Sequence, residues 1–142
     1  MANGGDPSSG RGRITGIGGV FFRARKRDDL AQWYHEVLGL PTTDAATAQV
    51  GGTVWAAFDF RTTYFGPAHQ DYMVNYRVDD LDAAIFRVRE AGASVSHDIQ
   101  QDEYGRFAWA VDPEGQRFEL WEPAAGIDSL NPAGDPTSDS GR

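Results

Sequence analysis

Glu119 stands inside an otherwise strand-forming run, Arg117-Phe118-Glu119-Leu120-Trp121. A carboxyl so placed can take up a proton, give one back or anchor a polar ligand group, and burial beside an arginine would tune its pKa for that work. Period-two alternation puts Arg117, Glu119 and Trp121 on one face of the strand and Phe118 and Leu120 on the other. The same face logic groups Gly19, Phe21 and Arg23, and groups Met73, Asn75 and Arg77. On the strand Thr53 to Phe60, the apolar set Val54, Ala56, Phe58 and Phe60 is expected under a helix, which leaves Trp55, Ala57 and Asp59 for the polar side. Aromatic walls with a few directed polar groups are how small-molecule pockets are built. The candidate site is therefore Glu119 as the reactive or anchoring acid, with Phe21, Trp55, Asp59, Met73, Asn75, Arg77, Trp109 and Trp121 as ligand contacts. Arg23 and Arg77 are the candidates to pair with a ligand carboxylate or with Glu119 itself, Arg77 also as an internal ion pair with Glu119 that needs no ligand. Asp59, Tyr64 and Tyr104 are the candidates for a second acid.

The elements that must carry these residues are legible in order. Phe107 to Val111, Asp112-Pro113-Glu114-Gly115 and Gln116 to Trp121 read as a hairpin, because Pro second and Gly fourth suit a type I turn. Ile17 to Ala24 is a strand, and a helix follows it. There Asp29 and Gln32 fit a capping box, and Leu30, Trp33, Tyr34, Val37 and Leu38 form the expected buried stripe before Gly39 and Pro41. Next come a weak strand over Asp44 to Val50, a Gly51-Gly52 turn, the strand Thr53 to Phe60 and a short fourth candidate over Thr62 to Phe65. The order then recurs. Tyr72 to Val78 is a strand, Asp79-Asp80 offers caps, and Leu81, Ala84, Ile85 and Val88 make a second stripe ended by Gly92. Ser94 to Gln100 and the two hairpin arms complete the second copy. Two β-α-β-β-β modules, residues 14–66 and 71–123, form one α+β domain over 14–123, with helices outside and the curved mixed sheet enclosing a cup.

Composition narrows the partners. A net charge of −8 repels phosphate backbones and anionic lipid, so nucleic acid and membrane are not expected. No cysteine is present, which removes thiolate chemistry and cysteine-bound zinc and suits a cytoplasmic location. His35, His69 and His97 show no ligand spacing. Residues 1–13 and 124–142 are rich in Gly, Ser, Pro and Asp without periodicity, and both read as disordered tails; the first has no apolar run for a signal peptide.

Three stretches carry a family resemblance. Trp33-Tyr34-His35-Glu36-Val37-Leu38-Gly39-Leu40, Val78-Asp79-Asp80-Leu81-Asp82-Ala83, and Asp112-Pro113-Glu114-Gly115-Gln116-Arg117-Phe118-Glu119-Leu120-Trp121 resemble the vicinal oxygen chelate superfamily of glyoxalase I, bleomycin-resistance proteins and extradiol dioxygenases. The resemblance implies a metal held by His or Gln on the first strand, His on the fifth and Glu on the fourth or eighth. Those positions fall here on Gly19, on Met73, near Tyr64 and Phe65, and on Glu119. One matching carboxylate is too few ligands for a catalytic ion, so no metal and no other cofactor are expected. Two functions stay open on that basis. One is bleomycin-resistance-like binding of a small planar or aromatic molecule; the other is a glyoxalase-like lyase or isomerase step with Glu119 as general acid or base. A bare interaction module is the third, and a homodimer is admitted.

Overall fold

The computed structural model describes residues 11–67, 69–96 and 98–130. In chain order its elements are β1 (Ile14–Ala24), α1 (Arg27–Leu38), β2 (Thr42–Asp44), β3 (Thr47–Val50), β4 (Thr53–Asp59), β5 (Tyr72–Val78), α2 (Leu81–Glu90), β6 (Gln100–Asp102), β7 (Gly105–Val111) and β8 (Arg117–Pro123). The strands form one curved mixed sheet in the order β2-β3-β4-β1-β5-β8-β7-β6. β1 runs parallel to β4, and β5 runs parallel to β8. The two halves meet where β1 pairs antiparallel with β5. This is the expected pair of βαβββ modules.

Each face of the sheet has its own apolar layer. Under α2, Val78, Leu81, Ala84, Ile85, Ala108 and Leu120 pack together. The cup face gathers Phe21, Val54, Ala56, Phe58, Phe65, Met73, Trp109, Trp121 and Leu130. The hairpin turn is held as its residues foretell: Gly115 N donates to Asp112 O at 2.9 Å, and Asp112 Oδ1 accepts from Glu114 N and Gln116 N. Asp80 Oδ1 caps α2 through Ala83 N at 3.0 Å. Asp80→Ala is expected to lower stability by about 1 kcal/mol, read as a shifted urea midpoint with unchanged slope.

Several expectations are corrected. β4 is turned over: Val54, Ala56 and Phe58 face the cup, while Trp55 packs edge-on to Phe22 at 4.9 Å and to Tyr34 at 5.5 Å under α1. Both faces of β4 are apolar, so alternation could not tell them apart. α1 starts at Arg27 without a side-chain cap, and Asp28 and Asp29 lie in its first turn, where their charge suits the helix dipole. Its stripe is not buried throughout, with Trp33 52% and Leu38 72% exposed. Asp44 to Val50 is broken into β2 and β3, and Thr62 to Phe65 is a turn rather than a strand.

The tail boundaries also move. Gly12 N and Arg13 N donate to Asp79 Oδ1, so the chain is engaged before residue 14. At the other end Ala124 N donates to Tyr104 O, Asp128 O accepts from Arg77 Nη1, and Leu130 O accepts from Gln49 Nε2. Residues 124–130 are a packed strap, not a disordered tail. The remaining tail residues, 1–10 and 131–142, lie outside the described residues, as does His97.

Candidate functional site

Register delivers Glu119 to the middle of the cup. On β8 it lies opposite Asn75 of β5 on one side and opposite Trp109 of β7 on the other. Asn75 Nδ2 donates to Glu119 Oε1 at 2.7 Å, and Tyr64 Oη donates to Oε2 in a very short contact. Tyr64 comes from the loop after β4, where it stacks on Phe58 and meets Trp109 edge-on. That loop is stapled by Arg23, whose guanidinium donates to the carbonyls of Gln70, Phe60 and Thr62. Gln70 in turn ties β5 to β8, donating to Tyr72 O and Arg117 O and accepting from Arg117 N. Arg23 and Gln70 thus position Tyr64 over the acid.

Glu119 is 2% exposed. Burial is the dominant influence on it and raises its pKa above the usual carboxylate value. The donated hydrogen bonds of Tyr64 and Asn75, the nearby Trp109 N–H and the charge of Arg117 pull the other way without cancelling that effect. Tyr64 is pushed well above an ordinary phenol by burial first and by Glu119 second. An acid and a phenol in contact, both biased towards their protonated forms, make a proton-transfer couple in chemical type.

Of the residues singled out in the sequence, Phe21, Met73, Asn75, Trp109, Glu119 and Trp121 come together in the cup. Trp55 and Asp59 do not. Trp55 is on the helix side, and Asp59 is at the surface with Arg61 at 3.2 Å. Arg77 sits at the rim bound to Asp128 O, so it is not the partner of Glu119; Asn75, two residues earlier, is. Tyr64 is one of the three candidate acids, Phe58 was expected under the helix but lies in the cup, and Leu130 reaches the cup from a stretch whose composition reads as a tail. Tyr104 contributes a backbone carbonyl to Trp121 Nε1 at 2.9 Å rather than an acid.

The donor set does not fit the superfamily's divalent ion. Both Glu119 oxygens are taken by hydrogen-bond donors. A side chain at Gly19 would meet the Phe21 ring at 2.7 Å and Leu130 Cδ1 at 3.3 Å. Among the described residues no three His, Asp or Glu side chains are grouped to hold a metal.

Comparison with known proteins agrees with the architecture. A glyoxalase-like domain family matches residues 19–121. No curated protein matches the chain. Among solved structures, the methylmalonyl-CoA epimerase of Mycobacterium tuberculosis is 24% identical, with a TM-score of 0.57 over 78% of this chain and 89% of that one. A methylmalonyl-CoA epimerase variant of Streptomyces coelicolor bound to 2-nitronate-propionyl-CoA gives 0.62 at 15% identity, over 80% of this chain and all (100%) of that one. The 2,2',3-trihydroxybiphenyl 1,2-dioxygenase of Sphingomonas wittichii strain RW1 gives 0.53 at 18% identity, over 80% of this chain and 42% of that one. At such identities these structures share the fold alone. The match over the cup-forming strands makes this chain a member of the glyoxalase-like domain family, within the vicinal oxygen chelate superfamily.

Proposed function

We propose that this protein binds a small planar or aromatic molecule in the cup without a metal ion, in the manner of a bleomycin-resistance-like binder. The observation that carries this reading is the setting of Glu119: one buried carboxyl, held by Tyr64 and Asn75, walled by Phe21, Phe58, Trp109 and Trp121. Aromatic walls supply area for a flat ligand, and a single polar cluster supplies orientation. The net charge of −8 supports a small molecule over a nucleic acid, and no helix among the described residues is long and apolar enough to cross a membrane.

A second reading has its own support. The raised pKa of Glu119 and its contact with Tyr64 suit general acid–base catalysis of a lyase or isomerase step. Turnover of a bound ligand, lost in Tyr64→Phe while binding survives, would favour that reading.

The metal claim is tested first. Elemental analysis of the purified protein is expected to find far less than one Zn, Ni, Mn or Fe per chain, and these ions are expected not to raise the melting temperature. A stoichiometric metal lost in Glu119→Ala would overturn it. A thermal-shift panel of planar metabolites against matched saturated analogues tests the ligand claim, with stabilisation confined to the flat members.

A further inference from the structure

We infer that the ligand of the cup is an acid, and that an oxyanion of that molecule, a carboxylate or enolate oxygen, is received by the Arg117 guanidinium and the Trp109 indole N–H. The inference rests on the small-molecule reading above and adds the chemical class.

Two donors in this part of the cup lack acceptors. Trp109 is 7% exposed, and its Nε1 is buried with no hydrogen-bond partner. It lies near enough to Tyr64 and Glu119 to favour their charged forms, yet its geometry falls short of a bond to either. Arg117 Nε is likewise buried and unpartnered. Its guanidinium lies 5.6 Å from the centre of the Trp109 ring, and it feels Tyr64 and Glu119 only through space. The antiparallel register pairs Trp109 with Glu119 and Val111 with Arg117, which makes Trp109 and Arg117 diagonal neighbours on one sheet face.

Several other arginines among the described residues are engaged. Arg23 donates to three carbonyls, Arg61 pairs with Asp59, and Arg106 pairs with Asp82 and lies 3.8 Å from Glu122. Arg117 differs because Glu119, whose charge acts on it through space, has both oxygens engaged by Tyr64 and Asn75. A buried donor left unmade costs about 1–3 kcal/mol, and a cation costs more, so such groups are kept where something else completes them. Neither indole nor guanidinium can accept a hydrogen bond, so the missing group must be an acceptor. Beside a cation and an N–H, an oxyanion is the best acceptor. Burial is the largest influence on Arg117 and lowers its pKa, against the opposing charges of Tyr64 and Glu119. Gly66 leaves the space Arg117 needs: a Cβ there would lie 2.7 Å from Arg117 Cδ.

The test is a titration of the full chain followed at the Trp109 indole proton by NMR, that signal being assigned by its loss in Trp109→Phe. Benzoate is expected to move it saturably, and benzamide, the same ring without the charge, to leave it in place. Arg117→Met is expected to weaken benzoate at least tenfold, and Arg117→Lys to restore part of the affinity; unmoved indole signals from the other tryptophans certify folding. Equal binding of benzamide, or full benzoate affinity in Arg117→Met, would overturn the inference. Propionate separates it from the reading on which it rests. If propionate binds as tightly as benzoate, the flat-ligand reading fails and the anion site stands. If only neutral aromatics bind, the anion site fails and the cup remains a small-molecule site. If none of the three binds, both fail.

Discussion

Ending the chain at Pro123 is expected to destabilise it by about 4–6 kcal/mol, although the removed residues have the composition of a tail. Leu130 is 7% exposed and belongs to the cup layer that also holds Phe21, Val54 and Trp121, and Ile127 lies against the same cluster. Removing a buried leucine from such a site alone costs about 2–4 kcal/mol, because its neighbours close only partly over the gap. The strap is also tied at both modules: Gln49 of β3 holds Leu130 O at 2.9 Å, and Arg77 of β5 holds Asp128 O at 3.0 Å. Each such bond adds about 1 kcal/mol. Urea unfolding of the shortened chain and of Leu130→Ala measures both effects. The single substitution should recover more than half of the loss seen on truncation. A midpoint shift equivalent to under about 0.5 kcal/mol in both would mean that the strap is not seated in the cup in solution.

This strap marks where sequence reasoning ran out. Two leucine-sized anchors in a stretch of Gly, Pro, Asp and Ser have no periodicity, and their burial depends on a cup built by residues far away in the chain. The internal repeat, by contrast, was legible, since each module repeats strand, cap, stripe and hairpin in local patterns. The face of β8 was legible because its apolar pair stands apart from its polar one: Phe118 and Leu120 go under α2, and Glu119 and Trp121 go to the cup. β4 was not, since Trp55 is as fit for burial as Phe58 and each found a different layer. Arg77 shows a third limit. It shares a face with Asn75, but at the end of β5 its guanidinium reaches Asp128 rather than Glu119, and register decided which of the two meets the acid. Tyr64 was legible only as one of three candidate acids, because a loop side chain meets Glu119 through the placement of a loop that Arg23 holds to the sheet.

Glu119→Gln is expected to separate binding from folding and to do so with a pH signature. Burial raises the pKa of Glu119, so the native protein holds its proton more tightly than the unfolded chain does. Below the ordinary carboxylate range both states are protonated, and Glu119 costs the fold no charge burial. As pH rises from there through the raised native value, the unfolded chain ionises first, and the native state loses the corresponding stability. Glutamine carries no charge at any pH and keeps one acceptor and one donor for Asn75 Nδ2 and the Tyr64 hydroxyl, which can turn to accept. The variant should therefore match the wild type at pH 4 and equal or exceed its stability at pH 8. Unfolding free energies at the two pH values check this, and a variant that loses ground as pH rises would mean that Glu119 is stabilised as an anion. Binding should move the opposite way. A ligand found in the thermal-shift panel should bind at least tenfold more weakly to Glu119→Gln, about 1.4 kcal/mol, because the carboxyl is the acid at the centre of the polar cluster and can change its proton to suit the ligand. Equal affinity for every wild-type ligand would remove Glu119 from the site and leave it a buried structural acid.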